Sequence, residues 1–295
     1  MRVAANRWRA HLWFMRIAIL GPGAIGSTFA FQLSRFGHDV TVVARGARLE
    51  TLTREQAIVT GKGERAKVSV TAALDEKTEW DLVLVTVLAT QVAAVLPVLK
   101  ASAAKRVMFM FNTFESIDPL RDAVGAERFT FGFPGGVFTL LVDGKINPTI
   151  RSGTTVGDEA IAKTFTDAGI PTVVERDMQS WLRTHAAMVA PLMSIGVTVH
   201  ARGSGVTWKE AGAHARAFDA GMQMTRALGN ALLPSSIASM SKLPVFLMTF
   251  MLWAMSRTKM LRDLGALGAA EPRMLIDMMS AAAPDKAEPL RAIRP

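Results

Sequence analysis

The chain has 295 residues, 50% of them hydrophobic, and its 34 basic and 25 acidic residues give a net charge of +9. This length suits one large domain or two modest ones. The chain contains no Cys and no Tyr, which excludes disulfides, thiolate nucleophiles, cysteine-ligated metals and reductases that take a proton from tyrosine. Any acid or base must therefore be His, Lys, Asp, Glu or water.

Residues 1–14 form a predicted N-terminal extension, which is rich in arginine and lacks the apolar core and cleavage site of a secretory signal. We therefore expect a cytoplasmic protein. A second basic excess lies in residues 176–295, with 14 basic and 8 acidic residues. These charges are dispersed and accompany no nucleic-acid-binding motif, so we expect a small anionic substrate and no nucleic-acid partner.

From Met15 onward, short apolar runs of strand length alternate with helical patterns. The predicted strands are Arg16–Leu20, Asp39–Ala44, Leu82–Val87 and Val107–Phe111. One helix follows the first strand and ends at Gly37, and another covers Gln91–Lys100. This alternation predicts an α/β fold, a Rossmann-type doubly wound parallel sheet.

The pattern changes in the second half. A hairpin turn is predicted at Asp143-Gly144, followed by strand, helix and strand up to about residue 175. Beyond Arg176, Ala, Met and Leu dominate in long helical patterns. We therefore predict a dinucleotide-binding α/β domain over 15–175 and an all-helical substrate or dimerisation domain over 176–295. The last residues, Ala283–Pro295, contain three prolines and are expected to be loose.

The longest apolar run is Leu243–Met255, with thirteen residues. A bilayer span needs about 20 residues, so membrane association is not expected. We expect a core helix or a contact in a possible homodimer. The flanking cations Lys242 and Arg257 leave an interfacial helix as an open alternative.

The sequence Gly21-Pro22-Gly23-Ala24-Ile25-Gly26 comes directly after the first strand and opens a helix. Gly21 permits a tight turn, Gly23 lets the backbone approach a pyrophosphate, and Gly26 lets the helix pack on the strand. Ala24 and Ile25 lie at the helix N-terminus, where free N–H groups attract phosphate. The alternative is a structural glycine turn, but the strand–turn–helix context favours dinucleotide binding.

The residues after the second strand read Val43-Ala44-Arg45-Gly46-Ala47-Arg48. An acidic residue there would bind the ribose 2′-hydroxyl of NAD. None is present, whereas two guanidiniums are available for a 2′-phosphate. The sequence therefore predicts NADP(H) as the cofactor, with a pair of surface arginines as the alternative.

The stretch Met15–Arg45 resembles the ketopantoate reductase (2-dehydropantoate 2-reductase) family, and the resemblance extends to about residue 280. It implies an NADP-dependent 2-keto-acid reductase with a Rossmann domain, a helical domain and a substrate cleft between them. Arg45 matches the family's 2′-phosphate arginine. Gln91 and Asn112 match residues on the nicotinamide side, where the usual cofactor-side lysine has become Leu88.

The resemblance also shows departures in the helical domain. The family's catalytic lysine and its asparagines are missing from residues 181–192, where His185 and Arg183 are the nearest substitutes. Lys259 aligns with a substrate-binding serine of the family, and Glu271 with the acid that closes that motif. The resemblance thus makes His185, Lys259 and Glu271 the catalytic candidates, acting on a 2-oxo acid other than ketopantoate.

His185 is attractive as a proton donor because the ordinary pKa of histidine is near neutrality. Each candidate also has a plain structural alternative: a half-buried histidine, a solvated surface lysine, and a helix-start acid favoured by the dipole. Arg183 lies two residues from His185 and is expected on a different helix face. No HExxH-type pair occurs, so no metal site is expected. A catalytically silent NADP-binding sensor or partner-docking protein is the second hypothesis.

Overall fold

A computed structural model describes residues 14–295; the predicted extension therefore lies almost wholly outside the described residues. The described chain divides into two compact units. The first contains the residues up to Phe111 and Asp118–Arg176, and the second contains Asn112–Ile117 and Asp177–Pro295. The segment Asn112–Ile117, which the sequence assigned to the α/β domain, thus packs with the helical residues.

The first unit contains strands, helices and one 3-10 turn at Ala89–Gln91. Its strands are β1 Arg16–Leu20, β2 Asp39–Val43, β3 Ala57–Val59, β4 Arg65–Lys67, β5 Ser69–Thr71, β6 Leu82–Val85, β7 Val107–Met110, β8 Phe129–Pro134, β9 Val137–Phe138, β10 Leu141–Val142, β11 Lys145–Ile146, β12 Thr149–Ile150, β13 Thr154–Val156 and β14 Thr172–Val174. Its helices are α1 Ala24–Phe36, α2 Gly46–Glu55, α3 Val92–Ala101, α4 Asp118–Val124 and α5 Glu159–Asp167.

Eight strands form one sheet in the order β5-β2-β1-β6-β7-β8-β13-β14. The strands from β5 to β8 are parallel, β13 is antiparallel to β8, and β14 is parallel to β13. The order changes direction beside β1, which is where the crevice of a doubly wound sheet lies. Leu20 is level with Val43 and Val85, so β1, β2 and β6 end at the same edge. The Rossmann-type prediction is confirmed.

The core of this unit follows from continuous apolar runs. Every residue of β6 and β7 is buried, as expected for central parallel strands covered on both faces. Helix α1 buries Phe29 and Leu33 against the sheet, and the Phe29 ring meets Phe165 edge-on at 4.9 Å. The helix ends at Gly37, whose φ of 116° is left-handed and whose N–H donates to Leu33 O.

The predicted hairpin at Asp143-Gly144 joins β10 and β11. Both turn residues are left-handed, with φ of 49° and 77°, which is the geometry that twists with the strands of a two-residue hairpin. A Cβ on Gly144 would lie 3.0 Å from Thr51 Cγ2 of α2, so the hairpin tip lies close against that helix.

The second unit is helical. Its helices are α6 Met178–Arg202, α7 Trp208–Ala227, α8 Ser235–Met240, α9 Val245–Met255, α10 Lys259–Gly265, α11 Ala270–Ala282 and α12 Glu288–Arg291. By length and composition α6 alone among the described helices could cross a membrane, and most of that stretch is buried inside the unit. It packs closely on α10 because Gly196 and Gly265 lack side chains; a Cβ on Gly265 would collide with Gly196 O.

The C-terminal residues were predicted to be loose, and this is wrong. A 3-10 turn at Pro284–Lys286 and α12 carry Leu290, which is fully buried in the helical core. Arg294 also pairs with Asp277 at 2.8 Å. The prolines interrupt a long helix, but they do not prevent the short segments between them from packing apolar side chains.

The apolar run Leu243–Met255 was expected to be a core helix or a dimer contact. It forms α9, which buries Met248, Thr249 and Leu252 and leaves Phe246 64% exposed and Phe250 55% exposed. A run that is apolar on all sides has no polar face to show which residues turn outward. The core alternative therefore holds for one face only, and dimerisation stays a prediction.

Candidate functional site

The glycine turn after β1 is shaped by close packing. Gly21 has a left-handed φ of 85°, and a Cβ there would lie 2.7 Å from Val87 Cγ1. A Cβ on Gly26 would collide with Thr86 Oγ1 and lie 2.6 Å from Gly21 O. The Thr86 hydroxyl lies 2.8 Å from Gly21 O and 3.0 Å from Leu20 O, which ties the turn to the segment after β6.

Gly23 has a different environment, because a Cβ there would meet only Gly21 O at 4.0 Å. It is the N-cap of α1, and the helix starts with the bond from Ser27 N–H to Gly23 O. The N–H groups of Ala24, Ile25 and Gly26 have no partner within residues 14–295. An open surface over three free N–H groups at a helix N-terminus can bind an anion.

Arg45 follows β2 and is the N-cap of α2. Its backbone is extended and its side chain is exposed. Within the described chain its guanidinium forms no hydrogen bond or ion pair. All five N–H donors therefore remain available for a ligand such as a phosphate.

Arg48, the second predicted guanidinium, is already engaged. Nε donates to Pro22 O at 2.9 Å, one terminal nitrogen donates to Gly144 O at 2.9 Å, and the other donates to Ser27 Oγ at 2.8 Å. Burial lowers the pKa of this group. The sequence interpretation that both arginines face a 2′-phosphate therefore reduces to Arg45 alone.

Gln91 lies on the segment after β6. Its Oε1 accepts a hydrogen bond from Leu88 N at 3.2 Å, which closes the 3-10 turn. Leu88, at the position of the family's lysine, is 63% exposed. The predicted nicotinamide-side role of Gln91 stays a prediction. Among the residues that the structure describes, its amide nitrogen has no partner, whereas its oxygen is engaged.

In the second unit, Asn112 and Glu271 lie together although 159 positions separate them. Asn112 is 6% exposed, and its Nδ2 donates to Glu271 Oε1 at 3.1 Å. Its Oδ1 is buried and has no partner among the described residues. Glu271 lies in the first turn of α11, where the helix dipole favours a carboxylate. The sequence nominated both residues but did not predict that they meet.

The segment Asn112–Ile117 is held on α6 by two side chains. Gln179 accepts from Ile117 N–H at 2.8 Å and donates to Glu115 O at 3.1 Å. Arg183 Nε donates to Phe114 O at 3.1 Å, and Arg183 also donates to Asn230 Oδ1. Arg183 is thus committed to the chain itself. Gln179 was missed, since no single-sequence pattern marks a partner 62 residues away.

His185 is half-buried on α6, with its ring stacked on Trp181 at 5.0 Å and an interplanar angle of 5°. Burial lowers the pKa of His185 to about 4. The imidazole is therefore neutral near pH 7, and the expectation that His185 titrates near neutrality is wrong. The sequence supplies only the ordinary pKa of histidine, whereas the burial that lowers it depends on the tertiary structure.

Lys259 is the first residue of α10, and its side chain is 84% exposed. Its Nζ lies 2.6 Å from Asp263 Oδ2, one helical turn along. This is the geometry of the alternative noted above, a solvated surface lysine. Within residues 14–295, no group of three or more His, Asp or Glu is arranged to hold a metal ion.

The first unit has a parallel sheet whose strand β1 leads into the glycine turn Gly21–Gly26, and a helical unit follows it. This combination defines a two-domain protein of the Rossmann class. Residues 17–160 match the family model described as ketopantoate reductase PanE/ApbA. This match assigns residues 17–160, the greater part of the first unit, to the ketopantoate reductase family.

A curated 2-dehydropantoate 2-reductase of Bacillus subtilis (strain 168) is 31% identical over 109 residues, which is 37% of this chain and 36% of that protein. The chain thus matches about a third of the length of such relatives. A PanE/ApbA family ketopantoate reductase structure from Ralstonia eutropha JMP134 is 20% identical, with a TM-score of 0.71 over 95% of this chain and 96% of that one. D-mandelate dehydrogenase with NADH is 14% identical, with a TM-score of 0.70 over 95% and 97%.

Proposed function

We propose that the chain binds NADP(H) through the glycine turn and Arg45. The observation that carries this proposal is the open surface over Gly23, with three unpartnered N–H groups at the start of α1. Such a cradle fits a diphosphate. The exposed guanidinium of Arg45 fits a 2′-phosphate, and residues 43–48 contain no acid for a ribose hydroxyl.

We propose further that the chain reduces a small anionic 2-oxo acid other than ketopantoate itself. Its family membership and its similarity to D-mandelate dehydrogenase support a reaction between a keto and a hydroxyl group. When bound, the nicotinamide supplies the hydride. The residues of the chain position the reactants and handle the proton for the carbonyl oxygen.

Asn112 and Glu271 carry the positioning role in this proposal. The Glu271 carboxylate accepts the Asn112 amide N–H, which fixes the orientation of the Asn112 side chain. The buried Oδ1 of Asn112 is then an unpaired acceptor, suited to an amide or hydroxyl donor of a ligand. His185 enters as a neutral hydrogen-bond donor, and Lys259 as a surface cation that attracts an anionic substrate.

The cofactor proposal is tested by titrating the purified chain with NADPH and NADH and following nucleotide fluorescence. We expect NADPH to bind at least about tenfold more tightly, and Arg45→Ala to remove that preference, because one charged bidentate contact contributes about 1.5–3 kcal/mol. Arg54→Ala, an exposed arginine of α2 outside the cradle, is the matched control. Equal binding of both nucleotides by wild type and Arg45→Ala would refute NADP(H) preference.

The reaction is tested by NADPH oxidation against a panel of 2-oxo acids that includes ketopantoate and aromatic 2-oxo acids. Glu271→Gln is expected to lower kcat by about 10²-fold or more on the preferred substrate, the scale of a lost acid–base or positioning group. Glu288→Gln, an acid of the short helix α12, is the control. Full turnover by both Glu271→Gln and Asn112→Ala would remove this pair from the mechanism.

A second candidate function is a catalytically silent NADP-binding sensor or partner-docking protein. The observation that favours it is the state of the predicted acids: His185 has a pKa of about 4, and Lys259 is paired with Asp263 on an exposed helix surface. The same two assays separate the functions. Tight NADPH binding without turnover on any 2-oxo acid favours the sensor, whereas turnover excludes it.

A further inference from the structure

Arg48 lies at the junction of three parts of the first unit. Its guanidinium donates to Pro22 O in the glycine turn, to Ser27 Oγ in α1 and to Gly144 O at the hairpin tip. Pro22, Ser27 and Gly144 are 26, 21 and 96 positions away from Arg48 in the sequence. One side chain of α2 therefore joins the turn, the helix that follows it and the β10–β11 hairpin.

The acceptors are themselves constrained, so this junction is not a loose surface contact. Ser27 is fully buried, and its hydroxyl donates to Pro22 O at 2.9 Å while it accepts from Arg48. Pro22 O thus receives two hydrogen bonds, one from the Ser27 hydroxyl and one from Arg48 Nε. Gly144 is left-handed and lies close to α2, which holds its carbonyl against Arg48.

We propose that Arg48 is a positioning residue that fixes the glycine turn for the cofactor diphosphate, and that it couples this turn to the hairpin Leu141–Ile146. The part of this inference that concerns nucleotide affinity rests on the proposed cofactor function, whereas the coupling of the turn to the hairpin does not. Arg48 presents three of its five donors to other groups of the chain, whereas Arg45 presents none to residues 14–295, so the two neighbouring arginines have different roles. Arg45 selects the 2′-phosphate, and Arg48 holds the loop that any nicotinamide dinucleotide uses.

The arrangement has a consequence for specificity. A 2′-phosphate ligand contributes to NADPH affinity and leaves NADH affinity unchanged. A residue that fixes the diphosphate loop contributes to both affinities by the same factor, because both nucleotides contain the same diphosphate. The ratio of the two affinities therefore separates selection by Arg45 from positioning by Arg48.

The test compares Arg48→Ala and Arg48→Lys with wild type, Arg45→Ala and the control Arg54→Ala. NADPH and NADH affinities are measured by nucleotide fluorescence, and amide hydrogen exchange is followed in peptides that cover 21–28 and 141–146. Arg48→Ala is expected to weaken both nucleotides about tenfold with an unchanged ratio, and to accelerate exchange in both segments. Arg48→Lys keeps the positive charge but lacks the three nitrogens of the guanidinium. It is therefore expected to retain only part of the wild-type affinity and of the protection from exchange.

Exchange in the β6 and β7 peptides reports whether each variant is folded. Loss of NADPH affinity alone in Arg48→Ala would overturn the proposal and make Arg48 a 2′-phosphate ligand. Unchanged exchange at 141–146 in a folded Arg48→Ala variant would overturn the coupling to the hairpin. If wild type binds neither nucleotide, the cofactor proposal fails, whereas the exchange arm still decides whether Arg48 joins the turn and the hairpin.

Discussion

The glycine cradle, Gly21–Gly26 with Arg45, and the helical unit both contain residues that the sequence predicts to be functional. The structure places these two sets of residues in different kinds of environment. In the glycine turn, close neighbours leave no room for a Cβ at Gly21 and Gly26, Gly23 is open, and Arg45 is exposed. In the helical unit, Glu271 contacts Asn112, whereas Lys259 pairs with Asp263 on an exposed face. A short contiguous motif specifies its own geometry, whereas a site assembled from distant helices depends on packing that no motif records.

The largest effect is expected from a comparison of Gly26, which packs against its neighbours, with Gly23, which is proposed to face the cofactor. Gly26→Ala places a Cβ against Thr86 Oγ1 and Gly21 O, and we expect a loss of about 3 kcal/mol in the free energy of unfolding, the cost of overpacking. Gly23→Ala is the matched control, since its φ of −70° and open surroundings accept a Cβ. It is expected to fold normally and to bind NADPH more weakly. Urea unfolding and nucleotide titration measure both effects; a Gly26→Ala variant as stable as Gly23→Ala contradicts the packing role.

The helical unit is tested next through Arg183. Replacing it with Ala leaves Phe114 O and Asn230 Oδ1 without their guanidinium donor, and we expect a loss of about 2 kcal/mol of unfolding free energy. Because the same contact holds the segment that begins at Asn112, NADPH turnover should also fall. Arg176→Ala, an exposed arginine ahead of α6, serves as the control. A variant that is stable but releases residues 112–117 in hydrogen exchange would separate the two effects; unchanged stability and exchange would contradict this role.

The low pKa of His185 predicts a pH effect of intermediate size. The folded protein binds a proton on His185 only near pH 4, whereas the unfolded chain binds one near pH 6.5, so protons favour the unfolded chain between these values. Stability present above about pH 6.5 is thus lost as the pH falls, with a slope of at most about 1.4 kcal/mol per pH unit. His185→Phe keeps a ring beside Trp181 and removes this slope.

His214 provides an internal comparison for that measurement, since burial also lowers its pKa to about 4. His214→Phe should remove a slope of similar size, and the double variant should remove both. Chemical unfolding at a series of pH values measures the slopes of wild type and of the three variants. Identical slopes in wild type and His185→Phe would show that His185 titrates normally, and would reopen its role as a proton donor.

The smallest effect is expected at Lys259. Its ion pair with Asp263 is exposed, and water screens both charges. Lys259→Ala should change the equilibrium constant of unfolding by less than about twofold, and kcat by less than about twofold as well. Steady-state kinetics on the preferred 2-oxo acid measure the second quantity. A large rise in KM with kcat retained would instead assign Lys259 to the substrate carboxylate.

Much of the first unit was predictable because its signals are local. Hydrophobic periodicity, turn residues and a six-residue glycine motif were enough to predict β1, α1, β2, the Asp143-Gly144 hairpin and the parallel sheet. The strands that the sequence analysis missed, such as β3 and β9, have two or three residues, too few for a periodic pattern. The tail around Leu290 was misjudged because prolines mark the ends of helices and carry no information on what packs between them.

By itself, the sequence determined the class of fold, the position of the glycine cradle and the absence of tyrosine and cysteine chemistry. Only the tertiary structure decided which ionisable groups are free. It assigned Arg48 to the chain and left Arg45 open, it brought Asn112 to Glu271, and it lowered the pKa of His185. The physical reason is that backbone conformation follows from neighbours in sequence, whereas charge state and hydrogen bonding follow from neighbours in space.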